Sequence, residues 1–177
     1  MNNIEVEVRA LISKIEFNRL KKFFYENGKF LNHHKDATLY FDKDGRIRLR
    51  KEKDRTYFVC KSGKIHDKHR EEMEIEIKKS DYLSAQKLLK MLDKPVEVKW
   101  QRERFVWLFQ GVKAYLDNTK GYGMIFELEA ITSPKNQDDA YQKMLKVFHE
   151  LDIKPTPKEK IQKHYQQYLK NWKKLIK

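Results

Sequence analysis

Charged residues alternate with apolar ones along several stretches of this chain, and that alternation limits the folds open to it more than any other property. Ile4-Glu5-Val6-Glu7-Val8-Arg9-Ala10-Leu11 lies near the start, Arg70-Glu71-Glu72-Met73-Glu74-Ile75-Glu76-Ile77 near the middle, and Ile125-Phe126-Glu127-Leu128-Glu129-Ala130 later. Side chains of a strand point alternately to its two faces. As strands, these stretches put Glu5, Glu7 and Arg9 on one face and Val6, Val8 and Ala10 on the other. They segregate Arg70, Glu72, Glu74 and Glu76 in the same way, and Glu127 with Glu129. Arg46-Ile47-Arg48-Leu49-Arg50 carries the opposite sign, with three guanidiniums on one face. Like charges this close repel unless something lies between them. If the apolar faces meet helices, the charged faces turn towards one another. A closed sheet with a wet, charged lumen satisfies both demands and leaves no free edge. A sheet with its charges in bulk solvent would suit one such strand equally well. Several of them, with acids and bases on separate strands, favour the lumen.

The spacing predicts strands over 3–11, 30–42, 45–52, 55–62, 69–78, 96–109, 112–119 and 124–132, with Asp44-Gly45 as a hairpin signal and a loop over 62–67. Helices are expected from Ser13, with Glu16 completing a capping box, to Gly28. Others should start from Ser80 as N-cap, from Ser133-Pro134 to about Leu151, and from Thr156-Pro157-Lys158-Glu159 over about 157–175. Strand-rich order broken by few helices argues for an α+β domain built on antiparallel pairing. One domain spanning 1–177 suits a chain of 177 residues.

The formal net charge of +13 fits an anionic partner. The lone cysteine, Cys60, excludes an internal disulfide and suits a reducing cytoplasm. Its strand-like setting reads as a buried small apolar residue. No apolar stretch approaches the roughly 20 residues of a membrane span, and an acidic start that enters a strand at once is not a signal peptide. A cytoplasmic protein with no membrane partner is therefore expected. There is no phosphate-binding glycine loop, no zinc-type cysteine spacing and no dinucleotide fingerprint. His33 and His34 are adjacent on a strand, so they point to opposite faces, which is poor metal geometry; His66 and His69 fall by the loop.

Taken in order, these blocks resemble the CYTH family, also called triphosphate tunnel metalloenzymes. Glu5-x-Glu7 matches the family's opening Glu-x-Glu-x-Lys, with Arg9 where lysine is usual. Leu39-Tyr40-Phe41-Asp42 with Ile47-Arg48-Leu49-Arg50 looks like its second and third strands, and Phe58-Val59-Cys60-Lys61 like the strand of its phosphate-binding lysine. Arg70-Glu71-Glu72-Met73-Glu74 resembles its R-x-E-x-E strand, and Lys99 with Arg102 its next basic cluster. Leu116-Asp117, Gly121-Tyr122-Gly123 and Phe126-Glu127-Leu128-Glu129 match a late block of leucine-aspartate, glycine turn and E-x-E. His164-Tyr165 resembles its C-terminal tyrosine helix. The resemblance covers nearly the whole chain. It implies an eight-stranded antiparallel β-barrel with flanking helices, a divalent metal (Mg2+ or Mn2+), and a substrate bearing a triphosphate. Members include inorganic and thiamine triphosphatases, RNA 5′-triphosphatases and class IV adenylate cyclases.

A triphosphate needs several fixed cations, and arginine offers a fork matched to phosphate oxygens. The candidates for substrate binding are Arg9, Arg48, Arg50, Lys61, Arg70, Lys99, Arg102 and Lys120. Arg46 and Arg104 are expected at the tunnel edge or outside. Lys99 and Arg102 are three residues apart, so a regular strand splits them between faces unless a bulge reunites them. Magnesium takes oxygen ligands, for which Glu5, Glu7, Glu74, Glu127 and Glu129 are the candidates. Asp117 resembles a family aspartate that orients a base or water, and Lys120 is placed to close the mouth. With Glu5, Glu7, Arg9 and Asp117 at the chemical centre, the expected activity is metal-dependent hydrolysis of the terminal phosphate. A class IV adenylate cyclase and a binding module without turnover are the alternatives. The expected partner is a triphosphate-bearing small molecule, polyphosphate or an RNA 5′ end, bound by a monomer or homodimer.

Overall fold

The computed structural model describes residues 4–62 and 69–177, and at His69 and Arg70 the backbone alone. His66, the rest of its predicted loop over 63–67, and the side chains of His69 and Arg70 lie outside the described residues. The strands are β1 (Ile4–Ile12), β2 (Lys29–Tyr40), β3 (Ile47–Lys51), β4 (Thr56–Lys61), β5 (His69–Arg70), β6 (Glu72–Ile77), β7 (Val98–Phe109), β8 (Val112–Thr119) and β9 (Gly123–Thr132). The helices are α1 (Lys14–Asn27), α2 (Tyr82–Met91), α3 (Gln137–Glu150) and α4 (Lys158–Leu175).

All the strands form one antiparallel sheet in the order β5-β1-β9-β8-β7-β2-β3-β4-β6. Its two ends belong to one chain segment interrupted at Glu71. β5 pairs with β1, Glu5 opposite Arg70, and β6 pairs with β4, Lys61 opposite Glu72. At the break, the Glu71 amide donates to Ser62 Oγ and its carbonyl accepts from the Ser62 amide, so both backbone groups of Glu71 are paired. Counted as one strand, this segment makes eight, and it curls the sheet into a tunnel. The bridge to β1 is two residues wide, so the tunnel wall is thinnest there.

Outside the tunnel, α1 and α3 cover β1, β7, β8 and β9. Leu20 and Phe24 of α1, Phe148 of α3, and Trp107, Phe126 and Leu128 of the sheet are fully buried together, with Phe24 stacked on Trp107 at 5.6 Å. Each such side chain contributes roughly 1.5–3 kcal/mol by leaving water. The Ser13 hydroxyl accepts from the Glu16 amide and the Glu16 carboxylate from the Ser13 amide, so the expected capping box starts α1. α2 covers the opposite wall through Leu89, against Leu39, Phe41 and Leu49.

Three local expectations fail. Ser80 does not cap a helix: a 3-10 turn fills 79–81, and the Ser80 hydroxyl donates to Asp81 before α2 begins at Tyr82. Thr156 forms no capping box. Its Oγ1 accepts from the Leu11 amide and its amide donates to the Arg9 carbonyl, a tertiary tie to β1 that outcompetes the local cap. Cys60 is exposed on the outer face of β4: its cross-strand neighbour Met73 is itself exposed, and the cluster around Leu89 takes in Phe58 but not Cys60. Among the described residues no helix is long and apolar enough to cross a membrane.

Candidate functional site

The inner strand faces enclose a cavity of about 510 Å³. The β1–β9 register sets Glu7 opposite Glu129 and Arg9 opposite Glu127. β8 adds Tyr115 and Asp117, β7 adds Arg102 and Arg104, β3 adds Arg48 and Arg50, and Lys61, Glu72 and Glu74 complete the ring. Arg9, Arg48, Arg50, Lys61 and Arg102 thus meet in one space with Glu5, Glu7, Glu74, Glu127 and Glu129. The period-two pattern puts them there, since each alternates with residues of the outer face.

Asp117 anchors the most buried part of the floor. It accepts from Arg104 at two points, Nε to Oδ1 at 2.7 Å and Nη2 to Oδ2 at 2.6 Å, and from Arg102 Nη1 at 3.3 Å. Arg102 Nε also donates to Asp36 Oδ2 at 2.8 Å. Burial pushes the Asp117 carboxyl up, but the two guanidiniums outweigh it and hold the group below the usual carboxylate range. Asp117 therefore orients two arginines. Arg104, expected at the edge or outside, lies inside the tunnel, stacked over Tyr115 at 4.2 Å. The pairing of β7 with β2 shows no bulge between Lys99 and Arg102, so Trp100, Arg102 and Arg104 share the inner face and Lys99 falls on the other. Lys120 is also outside the cavity lining: its ammonium donates to the backbone carbonyls of Ile176 and Lys177. The Arg70 side chain lies outside the described residues.

The remaining cations are held by carboxylates. Lys61 lies 2.8 Å from Glu5 and 2.6 Å from Glu72. Arg50 donates to Glu74 at 2.7 Å. Arg9 pairs with Glu7 and, at 3.1 Å, with Glu127. Arg48 instead donates to the Gly45 carbonyl at 2.7 Å, with its guanidinium 4.9 Å from the centre of the Tyr40 ring. Burial, only partly countered by Lys61, pushes Glu5 up to about 8. Burial also pushes the Glu127 carboxyl up, against Arg9. Tyr115 donates its hydroxyl proton to Glu129 at 3.0 Å, orienting that carboxylate. His34 enters the same space while His33 stacks on Phe105 outside, so the pair does split between faces.

Among the described residues, no three Asp, Glu, His or Cys side chains gather closely enough to hold a metal ion as they stand. The donor chemistry nevertheless suits a hard divalent cation. Glu5, Glu7 and Glu129 are carboxylates on one wall, and Glu7 and Glu129 each add to the upward pressure on the Glu5 carboxyl.

Towards one end the lumen changes character. Beyond Arg9 on β1 comes Leu11, paired with Ile125 of β9, and beyond Arg102 on β7 comes Trp100. Tyr40, Tyr122 and Tyr165 join them on the cavity surface, Trp100 and Tyr122 with ring centres 4.4 Å apart. α4 closes this end with Ile161, Tyr165 and Tyr168, the Tyr168 hydroxyl donating to the Lys99 carbonyl at 2.9 Å. The β8–β9 turn fits under the end of α4 only because Gly121, at φ +74°, has no side chain. A Cβ there would lie 2.5 Å from the Cβ of Leu175.

The family model for the CYTH domain matches residues 3–165. A Methanocaldococcus jannaschii protein provisionally named an adenylate cyclase is 26% identical over 161 residues, covering 85% of this chain and 90% of that protein. A solved structure from Pyrococcus horikoshii superimposes with a TM-score of 0.73 at 23% identity, over 85% of this chain and 91% of that one. A Hippeastrum protein, provisionally named an adenylyl cyclase and described as having a dominant triphosphatase activity, does so with a TM-score of 0.56 at 19% identity. It covers 85% of this chain and 88% of its own. Both structural likenesses concern the fold. With the family model spanning all but the ends, this chain belongs to the CYTH family.

Proposed function

We propose that this CYTH-family chain is a divalent-metal-dependent triphosphatase that releases the terminal phosphate of a triphosphate held in its tunnel. The observation that carries this reading is the convergence of Arg9, Arg48, Arg50, Arg102 and Arg104 with Lys61 in one cavity that Glu5, Glu7 and Glu129 also line. A triphosphate carries about four negative charges near neutral pH, and planar guanidiniums suit its oxygens. Arg102 and Arg104 are fixed by Asp117 and Asp36, so their orientation costs nothing when the anion arrives. Arg50 and Lys61 are held by carboxylates that a phosphate can replace. Glu5, Glu7, Glu127 and Glu129 would hold the cation, with Tyr115 fixing the direction of Glu129. When bound, the ion supplies positive charge to the phosphate oxygens as the bond to the leaving diphosphate breaks. Phosphoryl transfer asks for little beyond positioning and charge, so no nucleophilic side chain is required.

The Hippeastrum relative's triphosphatase activity supports this choice, and the archaeal relative's name supports the rival, cyclisation of ATP. The test is product analysis with magnesium or manganese on ATP, tripolyphosphate, thiamine triphosphate and 5′-triphosphorylated RNA. Orthophosphate as the product is expected. Cyclic AMP with pyrophosphate would establish the cyclase instead. Metal-linked binding with no product would mark a binding module.

A further inference from the structure

His34 lines the cavity and has no part in the chemistry proposed above. It stands on β2 opposite Arg104 of β7, with 20% of its side chain exposed. The side-chain nitrogen of Asn32 lies 3.3 Å from its Nδ1. An amide nitrogen can only donate, so Nδ1 accepts and the neutral ring carries its proton on Nε2. Nε2 is 3.7 Å from Asp36 Oδ2 and 3.9 Å from Glu52 Oε1, too far for a hydrogen bond to either.

Among the described residues, the charged groups around His34 come from three places. Asp36 stands on β2 itself. Arg50 of β3 and Glu52 just beyond it form a pair, with 3.3 Å between Nε and Oε1. Arg102 and Arg104 stand on β7, and Asp117 and Glu127 lie on their far side. Asp36 accepts from Arg102 at 2.8 Å and from the Thr38 hydroxyl at 3.1 Å, so both its oxygens are engaged. Each carboxylate that could hold an imidazolium is thus shared with an arginine. Burial keeps the ring below its usual value of 6.5, and Arg102 and Arg104 act in the same direction against Glu52 and Asp36. His34 is therefore neutral near neutral pH in the free tunnel.

We infer that His34 is a further phosphate ligand of the tunnel, one that takes up a proton as the polyanion enters. Nε2–H supplies a donor at the cavity wall. The added proton goes to Nδ1, and the exposed amide of Asn32 turns to accept it with its oxygen, so one neighbour serves both states. The role rests on the triphosphatase reading for the anion that fills the tunnel, and it gives that site a dependence on pH. The sign follows from linkage: anion and proton favour each other's binding by the same factor. Affinity therefore rises as pH falls through the window between the bound and the free midpoint of His34.

The test needs no turnover. Ring signals of the histidines are followed by NMR through pH on the intact chain, in chelator without divalent metal, with and without tripolyphosphate. The His34 signals are those lost in His34→Gln. Saturating tripolyphosphate should raise the His34 midpoint by about one unit. Titration calorimetry should show the advantage of the wild type over His34→Gln growing about tenfold as pH falls from about 8.5 to about 5.5. Comparison at each pH cancels the titration of tripolyphosphate itself and of Glu5. His34→Lys, charged throughout, should hold a constant advantage over His34→Gln across that range. An unmoved His34 midpoint, the same pH dependence in the wild type and His34→Gln, or no binding of tripolyphosphate would overturn the inference. Failure of the hydrolase reading looks different: no orthophosphate from any substrate with magnesium or manganese, whatever His34 does on binding.

Discussion

The outer and inner faces of β1, β7, β8 and β9 are alternate residues of the same backbone, yet they obey opposite rules. Outside, Val6, Val8, Trp107, Leu116, Phe126 and Leu128 are sealed beneath α1 and α3. Inside, Asp117 and Glu127 are nearly as well hidden, and both are ionisable. Removing apolar surface from water drives folding. Removing a charge costs several kcal/mol, which a partner offsets only when the geometry is good. The outer layer therefore supplies stability. The inner layer is close to neutral for folding while its pairs are intact, and it supplies the charge that a polyanion needs. The same strand can serve both ends because its two faces never mix.

The largest expected effect breaks the outer layer. Trp107→Ala should lower unfolding free energy by about 3–5 kcal/mol, read by thermal or denaturant melts, since Trp107 is fully buried between Phe24 and Phe105. A loss below about 1 kcal/mol would mean the outer layer is loosely packed. Next comes an inner residue that belongs to both regimes. Asp117→Ala leaves Arg102 and Arg104 buried without their shared partner, at a cost of about 3 kcal/mol; Asp36 still serves Arg102. If Asp117→Ala melts like the wild type, those guanidiniums are better solvated than their burial indicates, and the distinction between the two faces weakens.

Much of this division was legible in the sequence because it is written in a period of two. Glu5, Glu7 and Arg9, Arg48 and Arg50, and Glu127 and Glu129 fell on the inner face as their alternation required. The eight strand segments also came close to their observed bounds. What was missed needed information from elsewhere in the chain. Arg104 has the same parity as Arg102 and was readable on that ground, but resemblance drew attention to Lys99, whose parity is opposite. The signal for Arg104 was the R-x-R spacing at 102–104, with Asp117 as its distant partner. Thr156 has every local mark of a helix cap and bonds to β1 instead, a choice made by a strand about 145 residues away. Lys120 likewise meets the end of α4, which no local pattern announces. Cys60 alternates like a buried residue, but the residue across the sheet from it, Met73, is itself exposed.

A smaller effect on stability, with a large one on chemistry, should come from Glu127→Gln. Burial already pushes this carboxyl up, against Arg9, so an uncharged isostere loses little. Glu7 still pairs with Arg9, so stability should change by no more than about 1 kcal/mol, the worth of one hydrogen bond, while metal-dependent orthophosphate release should fall to background. Near-normal turnover in this variant would remove Glu127 from the site. A loss of stability as large as that of Trp107→Ala would show that the inner face holds the fold as firmly as the outer one.

The smallest effect lies at the rim of the outer layer, where water screens the charge. Glu16 closes the capping box of α1, and the Ser13 backbone amide, then its hydroxyl, hold the carboxyl below its usual value of 4.5. A carboxylate more acidic in the folded chain than in the unfolded one binds fewer protons there, so it contributes stability above about pH 4.5. That contribution is lost as pH falls through the lower folded value. Glu16→Gln keeps an acceptor for the Ser13 amide but removes the charge. Its thermal midpoint should sit slightly below the wild type's at pH 7, and the two should converge as the pH drops towards 3. Curves that stay parallel down to that pH would show that the charge does nothing and the hydrogen bond everything. A gap at pH 7 wider than that of Asp117→Ala would invert the ranking, because an exposed charge would then outweigh a buried one.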